Sequence, residues 1–85
     1  MVRQIEYSAV AQKILRRIDR TTAKRIRSKV RLLASDPEAL ANNIKALKGG
    51  GGLMRLRVGD WRVIYTEDLV VVNVIRVAPR GSAYE

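Results

Sequence analysis

The sequence contains no cysteine and no histidine. Without thiols there is no disulfide and no thiol nucleophile. With neither residue, a zinc site loses its usual ligands. No metal and no other cofactor is therefore expected. Acid–base chemistry would fall to carboxylates, lysine, arginine or tyrosine. Aromatic residues are scarce: Tyr7, Trp61, Tyr65 and Tyr84, with no phenylalanine. No apolar run approaches the roughly 20 residues that span a bilayer. The N-terminal MVRQIEYSAVAQ has no apolar signal core. The expectation is a cytoplasmic chain with no membrane contact. Acidic residues are also few. Eight Asp and Glu stand against seventeen Lys and Arg, a formal charge of +9. That excess suits a polyanionic partner, although high solubility is a plainer use of the same charge. At 85 residues the chain reads as one domain, 1–85. So small a domain buries proportionally little surface, and a partner can add stability.

The segment VRQIEY reads as a first strand. Ser8 then reads as a helix cap, its hydroxyl placed to accept from a backbone N–H of the next turn. Val10, Ile14 and Ile18, with Ala11 and Leu15 beside them, form an apolar helical stripe. Asp19 to Thr22 is a break and a fresh cap. Ala23, Ile26, Val30 and Leu33 make a second stripe, with Lys24, Arg25, Arg27, Lys29 and Arg31 on the outer face. Both stripes are expected in the core. The sequence SDP at 35–37 ends this helix, because a residue before proline is pushed out of the α region. A short helical turn is expected in EALANNIKAL. The glycines after Lys48 do not match the phosphate-loop spacing and no Gly-Lys-Ser/Thr follows, so they read as a mobile loop. Residues 53–58, 61–66 and 69–77 are strands, rich in Val, Ile, Leu and aromatics. The expected fold is α+β, in the order βααβββ: an antiparallel sheet with an N-terminal α-hairpin packed on one face.

Gly59-Asp60 separates two of these strands by two residues, and glycine at the first central position suits a type II′ turn. Such a turn fixes the pairing. Val58 falls opposite Trp61, Leu56 opposite Val63, and Met54 opposite Tyr65, all on a face suited to the core. Trp61 and Tyr65 are accordingly structural. Arg57 falls opposite Arg62, and Arg55 opposite Ile64, on the other face. Like charges directly opposite destabilise a sheet by roughly 0.2–1 kcal/mol per pair. The cluster thus suggests a surface for phosphate, whose oxygens the arginine fork fits. If Glu67-Asp68 is also a two-residue turn, Arg62 lies opposite Asn73, with Val71 and Ile75 nearby and Val70, Val72 and Val74 in the core. The tail APRGSAYE would bring Arg80 and Tyr84 to one end of this groove.

Such a groove can cut RNA without histidine or metal. RNA carries its own nucleophile, the 2′-hydroxyl beside the scissile phosphate. Arginines can stabilise charge that builds on the phosphoryl oxygens. DNA lacks that nucleophile.

The stretch LKGGGGLMRLRVGDWRVIY, the Val-rich strand after it and the terminal VAPRGSAY together resemble the RelE/ParE superfamily of toxins from type II toxin–antitoxin systems. They lie closer to the RelE-like mRNA interferase branch, over essentially the whole chain. The resemblance implies an mRNA endonuclease acting in the ribosomal A site. Its products would be a 2′,3′-cyclic phosphate and a 5′-hydroxyl. It also implies a cognate antitoxin with an acidic or partly disordered segment, in a complex that binds operator DNA through the antitoxin. By position, Arg62 matches the arginine assigned to phosphate stabilisation. Arg80 matches the one assigned to the leaving group or phosphate charge. Tyr84 matches the tyrosine assigned to base stacking or proton transfer. Lys48, Arg55 and Arg57 match basic RNA-binding positions, the branch having lysine where Arg55 stands. Arginine, with a pKa above about 12, is a poor general base.

Two rivals stand beside this reading. One is a ParE-like inhibitor of DNA gyrase with the same fold. The other is a non-enzymatic basic module that binds RNA or DNA. Lys13, Arg16, Arg17, Arg25, Arg27 and Lys29 suit ribosomal RNA contacts and a solvated helix face equally well.

Overall fold

A computed structural model describes residues 2–49 and 51–81. The elements run β1 (Gln4–Tyr7), α1 (Ala9–Arg17), α2 (Arg20–Ser35), a 3-10 helix (Pro37–Asn43), β2 (Ile44–Ala46), β3 (Met54–Val58), β4 (Trp61–Glu67) and β5 (Val71–Pro79). Local chemistry sets most of these bounds. The Ser8 hydroxyl accepts from the Ala11 N–H at 3.0 Å and caps α1. The Asp19 carboxylate accepts from the Thr22 N–H at 2.9 Å and caps α2. α2 stops at Ser35, just before Asp36-Pro37. β2 is a short strand that the sequence pattern did not announce. Three residues are too few for alternation to show. No helix of the described residues is long and apolar enough to cross a membrane.

The strands form one sheet in the order β1-β5-β4-β3-β2. β3, β4 and β5 pair antiparallel, as expected, and the unannounced β2 adds antiparallel to β3. β1 differs: it joins the edge parallel to β5, with Ile5 beside Val72 and Tyr7 beside Val74. A parallel pair cannot be closed by a tight turn and needs a long crossover. The α-hairpin and the strands after it supply that connection.

The α-hairpin packs on one face of the sheet. Ile26, Val30 and Leu33 of α2 are buried against Leu56, Val63 and Tyr65 of the hairpin strands and Val72, Val74 and Val77 of β5. Each such side chain stabilises the fold by about 1.5–3 kcal/mol. The α1 stripe is narrower than its apolar residues suggest. Ala11 and Leu15 are buried and Ile14 and Ile18 half-buried, but Val10 is 60% exposed, contrary to the expected core position. It sits on the flank of the stripe in the first turn, one helical step from Ala11.

The β3–β4 register is the expected one throughout. Gly59 has φ +58, and no described non-glycine residue has positive φ. Asp60 therefore has negative φ, as a type II′ turn requires and a type I′ turn does not allow. The β4–β5 register is not the expected one. Arg62 pairs with Ala78, and Asn73 pairs with Thr66. The turn centres on Leu69-Val70, because the Asp68 carboxylate accepts from the N–H groups of Val70 and Val71 at 2.7 and 2.8 Å. An aspartate that binds backbone this way initiates the turn and so sits before its tip. Val70 is consequently exposed, not core.

A bulge at Ile75 then resets the parity of β5: Tyr65 pairs with Val74, but Ile64 pairs with Arg76. Strict alternation from Val72 and Val74 would have sent Arg76 into the core. The extra residue turns Arg76 to the open face and buries Val77.

Two stability predictions follow from this packing. Ile26→Ala should lower unfolding stability by about 2–5 kcal/mol, and Val10→Ala should change it by about 0.5 kcal/mol or less, both read from urea midpoints. Asp19 and Asp68 are held below the usual carboxylate range by hydrogen bonds, to Thr22 for the first and to Val71 and Val70 for the second. Their stabilisation is complete above the unfolded value of about 3.9 and is lost as pH falls through the lower folded values. The urea midpoint should therefore drop below about pH 4, and Asp68→Asn should show a smaller drop than wild type.

Candidate nucleic-acid interface

The α-hairpin covers one side of the sheet, and alternation carries every second strand residue to the other. On this open face the register builds two cross-strand rows. One runs Arg57, Arg62, Ala78, and the other runs Lys45, Arg55, Ile64, Arg76. Ile64 and Ala78 are buried, with Leu47 and Leu53 packed against them. They give the face a small apolar floor among cations.

Arg62 is the most deeply set of these cations, only 9% exposed. Its Nη1 donates to the carbonyl oxygens of Gly59 at 2.9 Å and Trp61 at 3.0 Å. Burying a guanidinium is costly unless its donors are met, and the two turn carbonyls meet part of that need. Its remaining N–H groups have no partner among the described residues. Arg55 is half-buried, and its Nε is enclosed without a hydrogen-bond partner. Arg57 is exposed, and its carbonyl accepts from Asn43 Nδ2 at 3.1 Å.

The Gly59-Asp60 turn is a junction. The Arg62 side chain holds one of its carbonyls, and the Arg80 backbone N–H donates to the other, that of Asp60, at 2.7 Å. This brings Arg62 and Arg80 to the same end of the sheet. Arg25 of α2 also reaches the turn: a Cβ on Gly59 would stand 3.4 Å from Arg25 Nη1. Lys48 is exposed in the β2–β3 connection, at the far end of β3 from the turn. Five residues of strand separate the two, about 17 Å, so Lys48 is not gathered with Arg62 and Arg80. Tyr84 lies outside the described residues.

Sequence reasoning missed Lys45 and Arg76. Lys45 sits on the unannounced β2. Arg76 reaches the face only through the bulge at Ile75, which the sequence does not mark, since adjacent apolar pairs also stand at Val71-Val72 and Val77-Ala78. Tyr65 is fully buried, and burial pushes its hydroxyl up to about 12. It is structural, as expected. Among the described residues no three His, Cys, Asp or Glu side chains gather where they could hold a metal ion.

The sequence profile described as the ParE toxin of type II toxin–antitoxin system, parDE, matches residues 5–84. The chain belongs to the ParE toxin family. Solved toxin structures share its fold. The toxin resembles a chain of the archaeal RelE–RelB complex from Pyrococcus horikoshii OT3 at 26% identity and a TM-score of 0.80, covering 98% of this chain and 100% of that one. It resembles an Escherichia coli RelE toxin variant in the free state at 23% identity and a TM-score of 0.75, covering 98% and 87%. It also resembles a chain of the E. coli DinJ–YafQ toxin–antitoxin complex at 21% identity and a TM-score of 0.68, covering 100% of both. The two E. coli likenesses are at the level of fold alone. No curated protein sequence matches the toxin.

The turn that joins Arg62 and Arg80 tolerates no side chain at Gly59 without backbone strain. Gly59→Ala should lower the toxin's stability by about 1–3 kcal/mol, measured by urea unfolding. An unchanged midpoint would contradict the strained-turn account.

Proposed function

We propose that this toxin is a metal-independent, ribosome-dependent mRNA endonuclease of the RelE type. The observation that carries the reading is the basic face that the helices leave open, above all Arg57 directly opposite Arg62. Stability alone does not favour that pair. A phosphate between the two strands would convert the repulsion into two charge-assisted contacts.

In the proposed reaction the 2′-hydroxyl oxygen of the RNA attacks the adjacent phosphorus. The bond from phosphorus to the 5′-oxygen breaks, giving a 2′,3′-cyclic phosphate and a 5′-hydroxyl. The proton lost by the 2′-hydroxyl is balanced by one gained at the leaving 5′-oxygen. Arg62, anchored on the turn carbonyls, would stabilise the phosphoryl oxygens as negative charge gathers there. Arg80, tied to the same turn, would steady the leaving oxygen. Tyr84 is assigned base stacking or the proton transfer. Arg55, Arg57 and, at the far end of β3, Lys48 would hold flanking phosphates. The ribosome would present the message in its A site.

A net charge of +9 also fits an acidic, partly disordered antitoxin segment that orders on binding. The likeness to chains of the RelE–RelB and DinJ–YafQ complexes supports such a partner. Operator binding would pass through that antitoxin, and the cytoplasm is the compartment where ribosome and operator are both met.

A second reading is inhibition of DNA gyrase, favoured by the matched ParE profile. Primer extension on a translated message separates the two. Arg62→Ala and Arg80→Ala should each slow cleavage by about 100- to 1000-fold, with circular dichroism confirming folded variants. An uncut message together with blocked supercoiling would overturn the endonuclease reading in favour of gyrase. Growth inhibition and RNA binding that both survive these substitutions would leave a basic binding module instead.

A further inference from the structure

The open face is not uniformly basic. Tyr7 of β1 and Val74 of β5 pack into the core, so their neighbours Glu6 and Asn73 fall on the open side. Glu6 pairs with Asn73, and Asn73 pairs with Thr66. This third row holds a carboxylate, an amide and a hydroxyl where the other two hold cations. Neither the Glu6 carboxylate nor the Asn73 amide has a partner among the described residues. A depression of about 370 Å³ lies here, lined by Glu6, Tyr7, Ser8, Asn73, Val74 and Ile75. Ile75, the bulge residue, is 39% exposed and gives the depression an apolar surface.

We propose that this depression is a base-recognition subsite, which takes a nucleobase bearing an exocyclic amine and disfavours uracil. The proposal rests on the reading of the open face as an RNA surface. Charge sorts the two parts of a nucleotide across that face. Phosphate is drawn to the arginine rows, and Glu6 repels it from the third row. Asn73 and Arg76 are three residues apart along β5, about 7–10 Å, which lets one nucleotide place its phosphate at Arg76 and its base at Asn73. Single-stranded RNA can turn its base edges outward. The Glu6 carboxylate only accepts hydrogen bonds, so it fits an amine. The Asn73 amide donates and accepts, and so can pair with a base edge. Uracil carries a carbonyl where cytosine carries its amine, and that oxygen against Glu6 is repelled. The base plane rests on Ile75.

Cytosine and uracil differ chiefly in that one group, so short 2′-O-methyl oligocytidine and oligouridine, which lack the attacking hydroxyl, are the probes. Fluorescence anisotropy with the folded toxin should show oligocytidine binding about tenfold tighter. Glu6→Gln and Asn73→Ala should each bring that ratio close to one. Arg62→Ala should weaken both probes alike and leave the ratio in place. A wild-type ratio near one, or a ratio that both Glu6→Gln and Asn73→Ala leave intact, overturns the subsite. If the ratio behaves as expected while translated message stays uncut, the cleavage reading fails and the subsite stands. If wild type binds neither probe, the RNA reading and the subsite fail together.

Discussion

The helices cover only one face of the sheet, and every strand must therefore sort its side chains between a dry side and an open one. That constraint governs the rest of the molecule. Apolar residues that alternate correctly fill the core under α2. What stands between them goes to the other side, where β2 to β5 gather five cations around a small apolar floor. The Gly59-Asp60 turn sets the parity for β3 and β4. The bulge at Ile75 corrects it for β5, where unbroken alternation would have buried Arg76 and exposed Val77. A slip of one residue in any of these strands would exchange the core for the arginines.

The basic face costs stability in isolation. Arg57 and Arg62 oppose each other, Lys45 opposes Arg55, and the Nε of Arg55 is itself enclosed without a partner. A small α+β domain has little stability in reserve. Retaining such strain is intelligible where an anionic partner relieves it, whether RNA phosphate or an acidic antitoxin segment. Under the proposed function, an acidic segment on this face would compete with RNA phosphate by charge alone.

Much of this was legible in the sequence because the signals were local. Ser8 and Asp19 cap the helices they precede, the proline at 37 follows the end of α2, and Gly59-Asp60 fixes five strand pairs correctly. The failures share a cause in long-range competition. Asp68 could be read as a turn residue, but not that its carboxylate would claim the N–H groups of Val70 and Val71 and move the tip of the turn. Val10 has the right spacing for the core and lies beyond what the sheet can cover. The parallel seat of β1 depends on where the chain returns, about which a four-residue strand says nothing. At the site, Arg55, Arg57 and Arg62 followed from the hairpin alone. Lys45 and Arg76 needed the full sheet.

The central claim is that the sheet's open face, and not the basic outer surface of the helices, receives RNA. Amide chemical-shift mapping of the folded toxin with a 2′-O-methyl oligoribonucleotide tests it directly. The account predicts that the shifts cluster on Arg55, Arg57, Arg62 and Arg76 and spread across β3 to β5. Shifts confined to Lys13, Arg16, Arg17 and Lys24 on α1 and α2, with the strand arginines unmoved, would contradict it.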